Sequence, residues 1–182
     1  MIFVTVGNAT QGFRRLLDAV DELAGEGAFG NETVFIQSGN NPDFRPSHCK
    51  YQPFLTMEDF VAKIRESDMI IGHAGAGTLL HALHAGKVPV VMPRQKKYGE
   101  HVDDHQIELV KALATEWRVI PAYEPEDLPE AITEVMEANV RREASGAREK
   151  SLEGKGWREQ SPILELVGRA IEELMKKGEM KK

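Results

Sequence analysis

Residues 67–112 read SDMIIGHAGAGTLLHALHAGKVPVVMPRQKKYGEHVDDHQIELVKA, and this stretch decides the fold. Asp68–Gly72 (DMIIG) is a short apolar run closed by glycine, the pattern of a strand buried on both faces. Gly75–Ala85 then places apolar residues at helical spacing. A second apolar run follows at Lys87–Met92 (KVPVVM). A polar loop from Pro93 leads into a helix over His105–Ala114. Strand, helix, strand and helix in succession are the building unit of a parallel α/β sheet.

The same alternation extends in both directions. Ile2–Val6 is an apolar, β-branched run ended by Gly7. Gly12–Leu23 carries Phe13, Leu16, Leu17, Val20 and Leu23 on one helical face, and Gly25, Gly27 and Gly30 interrupt it. Thr33–Gln37 (TVFIQ) predicts a strand ending at Ser38-Gly39-Asn40-Asn41, and His48–Pro53 a short third one. Thr56–Ser67 predicts a helix with Thr56 as N-cap and Asp59 close to a capping-box position. Arg118–Ile120 predicts a strand, and Pro125–Asn139 a helix with acidic residues in its first turn, where the helix dipole favours them. The expectation is a Rossmann-like, doubly wound parallel α/β domain over residues 1–139.

Composition shifts near Val140. Residues 140–182 begin with a charged, glycine-containing stretch around Trp157, then resume helical spacing at Ile163, Leu164, Val167, Ile171 and Leu174. Two readings stand: a linker and helix docked on the same core, or an arm that reaches a partner chain.

The bulk numbers set limits on function. The chain has 182 residues, 41% hydrophobic and 29% charged, which suits one globular domain of ordinary size. A net charge of −6 argues against a general nucleic-acid binder, which needs a basic surface. One cysteine, Cys49, excludes an internal disulfide and points to a reducing, cytoplasmic setting. The N-terminus reads as a strand and a turn rather than a signal peptide. No stretch approaches the roughly 20 apolar residues of a membrane-spanning helix, so any membrane link is expected to be peripheral.

Two loops at strand C-termini carry candidate chemistry, because open α/β sheets bind ligands at that edge. Gly7-Asn8-Ala9-Thr10-Gln11-Gly12 follows the first strand. Gly72-His73-Ala74-Gly75-Ala76-Gly77-Thr78 follows the DMIIG strand and opens a helix. Glycines let backbone N–H groups approach a phosphate, and a helix N-terminus favours an anion. Plain turn and packing roles for these glycines remain open. The first loop has neither the dinucleotide GxGxxG spacing nor a P-loop lysine, so a nicotinamide-dependent dehydrogenase is disfavoured. In the third loop Arg94 and Lys97 are candidate phosphate contacts, and Asp104 and Gln106 can bond sugar hydroxyls. His101 and His105 lie four apart, but no third ligand is identified and no metal is expected. Cys49 reads as packing.

Taken whole, residues 67–112 resemble the C-terminal domain of glycosyltransferase family 28, in the order strand, HAGAGT, helix, AGKVPVVMPR, DDHQ. The likeness reaches FVTVGNATQGF at the N-terminus and covers about residues 1–138. It is strongest to stand-alone donor-binding subunits of split GT-B enzymes. Such subunits include the small subunit of the dolichyl-diphosphate N-acetylglucosamine transferase and bacterial exopolysaccharide glycosyltransferase subunits. The resemblance implies a single C-terminal-type GT-B half that binds a UDP-sugar. It implies a membrane-anchored partner subunit that binds a polyprenyl-linked acceptor and supplies the general base, so the chain alone is expected to turn over little. It implies no cofactor, and a place at the cytoplasmic membrane face through that partner. Position by position, it implies that Gly7, Asn8 and Thr10 with His73, Gly75, Ala76, Gly77 and Thr78 hold the diphosphate. Phe54 and Leu55 match a uracil-recognising pair. Asp104, His105 and Gln106 match the motif facing the donor sugar. The family often has Glu at the ribose-binding place where this chain has His81, which offers a diol one hydrogen bond instead of a bidentate pair. The rival readings are a non-enzymatic nucleotide-sugar-binding module, a degenerate homologue, and a sugar-nucleotide epimerase, for whose two domains the chain is short.

Overall fold

The computed structural model describes residues 1–144 and Gly168. Trp157 and the periodic stretch 161–176, Gly168 apart, lie outside the described residues. Six strands form one all-parallel sheet in the order β3-β2-β1-β4-β5-β6. They are β1 (Ile2–Thr5), β2 (Val34–Gln37), β3 (Lys50–Gln52), β4 (Met69–His73), β5 (Val90–Met92) and β6 (Ile120–Pro121). The helices are α1 (Arg14–Gly25), α2 (Met57–Glu66), α3 (Ala76–His84), α4 (His105–Thr115) and α5 (Leu128–Ala144). This strand order is that of the doubly wound dinucleotide-type sheet, whose chain reverses direction between β1 and β4.

Alternation along the strands divides the core into two layers. Ile2 and Val4 of β1, Ile36 of β2 and Ile71 of β4 pack under α1 and α5, against Leu16, Leu17, Val20, Leu128 and Ile132. Phe3 and Ile70 point to the other face, where Ile64 of α2 and Ala82 of α3 cover them. Val91 meets Leu79 and Leu83 of α3 and Leu109, Val110 and Leu113 of α4 there. Helices on both faces explain why the strands read as unbroken apolar runs.

Several boundaries differ from the sequence expectation for identifiable reasons. β5 begins at Val90 rather than Lys87, because Pro89 has no N–H for the ladder. Lys87 instead caps carbonyls at the end of α2, those of Arg65 and Ser67. The expected strand at Arg118–Ile120 is displaced to Ile120–Pro121. There α4 ends in a Schellman turn, with Trp117 N–H on Ala114 O and Arg118 N–H on Leu113 O. Trp117 holds the left-handed position of that turn at φ 55, a place glycine usually takes. The helix expected at Pro125–Asn139 begins as a short 3₁₀ turn, Pro125–Asp127, closed by a reciprocal capping box between Glu124 and Asp127. α5 then runs through the compositional change at Val140 as far as Ala144. Thr56 caps α2 as expected, accepting the Asp59 N–H at 3.1 Å.

Ile71 is fully buried in the central strand. Ile71→Ala is expected to cost about 2–5 kcal/mol. Urea unfolding should show this as a lower midpoint at unchanged m-value.

Candidate functional site

β1 and β4 pair in register, Thr5 opposite Gly72, so the loops that follow them emerge side by side at the carboxyl edge of the sheet. His73 ends β4 and its ring lies between the two loops. A Cβ built on Gly7 would come 2.5 Å from His73 Cε1, and one on Gly75 only 2.2 Å from Nε2. Neither distance is possible for a side chain with the imidazole where it is, so a larger residue at either glycine would displace the ring. Gly7 also holds a left-handed φ of 69. Gly77 differs: a Cβ there meets no atom within 4 Å, so it faces open space.

His73 is buried and its Nδ1 contacts Thr5 O at 3.4 Å. A carbonyl only accepts, so Nδ1 carries the proton in this contact and Nε2 is left as an acceptor. Burial, and then the nearby Arg94 charge, push His73 down to about 4, so the ring is neutral at pH 7. In this arrangement His73 shapes the loops and offers no charge to an anion.

The first loop is fastened on two sides. From the β2 side, Asn41 Oδ1 accepts Phe13 N–H at 2.9 Å while Asn41 Nδ2 donates to Ser38 O at 2.6 Å. Asn40 Nδ2 donates to Ala9 O at 2.7 Å, and Gln37 Nε2 to Asn8 Oδ1 at 3.2 Å. From the β5 side comes Arg94, expected from sequence as a phosphate contact. It is 1% exposed, and its guanidinium donates to the carbonyls of Val6, Gln11, Gly12 and Glu100 at 2.8–3.2 Å. Those bonds point into the protein, which corrects the direct phosphate role. Burial lowers Arg94 to about 10, against the pull of Glu100, so it stays charged. Lys97 is exposed and pairs with Glu124 at 2.7 Å. α1 starts at Arg14, not Gly12, and its N-cap Phe13 has its N–H taken by Asn41, so the amides of residues 8–12 belong to the loop and not to the helix.

α3 presents a different N-terminus. Its N-cap is Gly75, and no side chain caps it. The first helical bond is Leu79 N–H to Gly75 O, which leaves the N–H groups of Ala76, Gly77 and Thr78 without an acceptor among the described residues. Thr78 is buried, and its methyl would lie 3.7 Å from a Cβ on Gly72.

Phe54 is 45% exposed just beyond β3, and Leu55 packs beside Phe60 against the α2–α3 core. His81 stacks edge-on to Phe60 with centroids 5.7 Å apart. Burial, then His84 and Arg65, lower its pKa. In the third loop, Asp104 accepts the Lys96 N–H at 2.9 Å, and Gln106 Oε1 accepts the Arg94 N–H at 3.0 Å, leaving its amide NH2 to offer. His105 is exposed, and its Nδ1 lies 2.8 Å from Asp103, which also sits 2.9 Å from His101 Nδ1. Partial burial opposes ionisation of Asp103, but the His105 N–H and the two imidazoles hold its carboxyl below the usual range. Among the described residues no cluster of three or more His, Cys, Asp or Glu is placed to hold a metal ion. Burial and Asp21 push the Cys49 thiol up to about 12, as befits a packing residue.

Sequence reading missed the pair that holds the third loop to α1. Arg15 and Glu100 meet through two bonds of 2.9 Å, and Arg15 also donates to Pro93 O and Tyr123 O. They are 85 residues apart, and no local signal joins them. A hollow of about 380 Å³ opens beside this pair, lined by Gly12, Arg14, Arg15, Tyr98, Gly99 and Glu100. A second hollow, of about 440 Å³, is lined by Pro129, Glu130, Thr133, Glu134 and Glu137, and its three carboxylates disfavour an anion.

The depressed His73 pKa has a consequence for stability. Above the unfolded value near 6.5 the ring is neutral in both states. As pH falls from there towards 4, only the unfolded chain takes up the proton, so stability is lost across that window. The loss should total roughly 3 kcal/mol. His73→Asn is expected to flatten the pH dependence of urea unfolding between these limits, whatever it does to stability at pH 7.

The glycosyltransferase family 28 C-terminal domain model matches residues 1–158. Two curated relatives are UDP-N-acetylglucosamine transferase subunits ALG13. The Homo sapiens protein is 31% identical over 122 residues, which is 63% of this chain and 10% of that protein. The protein of Yarrowia lipolytica (strain CLIB 122 / E 150) is 29% identical over 122 residues, 62% of this chain and 60% of that one. The chain therefore spans less than two thirds of either relative. Among solved structures, the glycotransferase of kitacinnamycin aligns at TM-score 0.56 and 15% identity, over 79% of this chain and 37% of that one. The glycosyltransferase SnogD from Streptomyces nogalater aligns at TM-score 0.50 and 21% identity, over 95% and 44%. These two share the fold. The match over residues 1–158, on a six-stranded parallel sheet with glycine loops at its reversal point, places the chain in the glycosyltransferase family 28 C-terminal domain family.

Proposed function

We propose that this chain is the donor-binding subunit of a hexosyltransferase. It holds a UDP-sugar while a separate, membrane-anchored subunit binds a polyprenyl-linked acceptor. The observation that carries the reading is the pair of loops at the β1–β4 reversal, with the uncapped α3 N-terminus and open space at Gly77 between them and solvent. A helix N-terminus with free N–H groups stabilises a diphosphate. The names of the two curated relatives, both subunits of a UDP-N-acetylglucosamine transferase, support a uridine donor and a second subunit.

In this reading Gly7, Asn8 and Thr10 and the N–H groups of Ala76, Gly77 and Thr78 hold the diphosphate. Phe54 and Leu55 border the uracil, His81 the ribose, and Asp104, His105 and Gln106 the sugar. The acceptor oxygen attacks the anomeric carbon from the opposite side. The bond to the UDP oxygen breaks, and configuration inverts. Negative charge grows on the leaving diphosphate, where preorganised amides stabilise it more than they stabilise the ground state. The amides do this without a metal ion. The general base that takes the acceptor proton belongs to the partner. No helix among the described residues is long and apolar enough to cross a membrane; in this reading the partner supplies the attachment to the cytoplasmic membrane face.

A second reading, a non-enzymatic nucleotide-sugar-binding module, draws support from His81. An imidazole half-buried against Phe60 is a weaker diol ligand than a carboxylate. Activity with the partner present separates the two.

Calorimetric titration with UDP, UDP-GlcNAc, UDP-glucose and UDP-glucuronate should give one-site binding for UDP and a preference among the sugars. Failure to bind any uridine nucleotide, even with the partner present, would refute the donor reading. Gly77→Ala isolates the site from the fold. The new methyl meets no protein atom and favours the helix, so stability should rise by about 0.5–1 kcal/mol. UDP affinity should fall about tenfold, as amide contacts to the diphosphate are blocked. Unchanged UDP binding by this variant would place the diphosphate elsewhere.

A further inference from the structure

We propose that Arg94 is a positioning residue for the donor diphosphate. From its buried site it holds the carbonyls of Val6, Gln11 and Gly12, which anchors the first loop at its root and its end and turns the Gly12 N–H outward. The inference rests on the donor reading and assigns to Arg94 a role other than phosphate contact.

A trans peptide points its C=O and N–H in opposite directions. Arg94 Nη1 draws Gln11 O inward at 2.9 Å, which turns the Gly12 N–H outward. Asn40 Nδ2 draws Ala9 O at 2.7 Å, which turns the Thr10 N–H away from it. Between Gly12 and Phe13 the peptide is held at both ends, Gly12 O on Arg94 at 3.1 Å and Phe13 N on Asn41 at 2.9 Å. Val6 O, at the root of the loop, is held by Nη2 at 2.8 Å. No acceptor among the described residues takes the N–H groups of residues 8–12. The carbonyls of Ala9, Gln11 and Gly12 are thus engaged inside the protein while the N–H groups of residues 8–12 are left over, which is the polarity of an anion cradle.

The charge of Arg94 acts in the same direction. The Glu100 carboxylate is taken by Arg15 and by the Gln95 N–H. Arg94 has no ion pair among the described residues, and its guanidinium carbon stacks 4.8 Å over the Phe13 ring. Its Nε is buried without a partner, a cost to stability that a packing role does not justify. An unpaired buried cation behind the loop favours an anion in front of it.

The test compares UDP, UMP and uridine on the wild-type chain, Arg94→Lys and Arg94→Met, by calorimetry and, for uridine, by NMR titration. Arg94→Met is expected to weaken UDP about tenfold and leave uridine unchanged. The ³¹P resonances of bound UDP should shift with it. Arg94→Lys should recover part of the loss, since an ammonium keeps the charge but cannot fork to several carbonyls. UDP binding by Arg94→Met equal to wild type, or an equal loss for uridine, would overturn the inference. If Arg94→Met does not fold, Asn40→Ala replaces it. Asn40 is exposed, and its loss should weaken UDP about threefold without affecting uridine; unchanged UDP binding overturns the inference there too. A wild-type chain that binds no uridine nucleotide fails before any substitution is made, and that result counts against the donor reading itself.

Discussion

The imidazole of His73 is the wedge on which the site depends. It ends the central strand β4 and fills the gap between the loops after β1 and β4. The register that puts Thr5 opposite Gly72 brings those loops together, and the ring sets their spacing. Two glycines follow from it directly. Neither Gly7 nor Gly75 has room for a methyl group beside the ring. Because the ring is neutral and its Nδ1 is turned to Thr5 O, it takes its place without adding a charge of its own. The groups that could favour an anion there are the backbone amides of the first loop and the uncapped α3 terminus.

The Arg94 guanidinium belongs to a larger arrangement around Phe13. Arg94 and Arg15 both lie over its ring, at 4.8 and 5.4 Å from the centroid. Arg15 is neutralised by Glu100 and Glu124 and joins α1 to the third loop and to the turn before α5. Arg94 bonds carbonyls only. Two arginines on one aromatic ring therefore do different work. One fastens distant segments through paired charge, which in a buried setting needs good geometry to be neutral or better in energy. The other makes no ion pair among the described residues and gathers carbonyls instead.

Much of this was legible in the sequence, and the reasons for the exceptions are physical. The parallel strands were readable because burial on both faces makes them unbroken apolar runs, and the glycine loops because they punctuate those runs. Thr56 was readable because capping is local. The start of β5 was misplaced although Pro89 was in view; the apolar run continued through a residue that cannot join the ladder. The start of β6 was misplaced because Trp117 takes a left-handed turn that composition assigns to glycine, and the turn uses up Arg118. Arg94 was read as a phosphate ligand because a basic residue in a polar loop after a strand usually faces solvent. Only the fold reveals that Val6, Gln11 and Gly12 turn their carbonyls towards it. Arg15 and Glu100 were invisible for the same reason, since pairing across 85 residues leaves no periodic trace.

The glycines of GHAGAG also show how a motif can mix two requirements. Gly72 packs against Thr5 and Thr78, and Gly75 against His73, so both have reasons inside the protein. Those contacts would be needed in a chain that bound nothing. Gly77 has no such contact, and it sits in the first turn of a helix, where alanine is the better residue. Nothing inside the protein therefore requires a glycine there. Without a side chain it leaves the first turn of α3 open around the N–H groups that no residue caps. The donor reading proposed above therefore draws on the third glycine of the motif more than on its first two, since those two are accounted for within the fold.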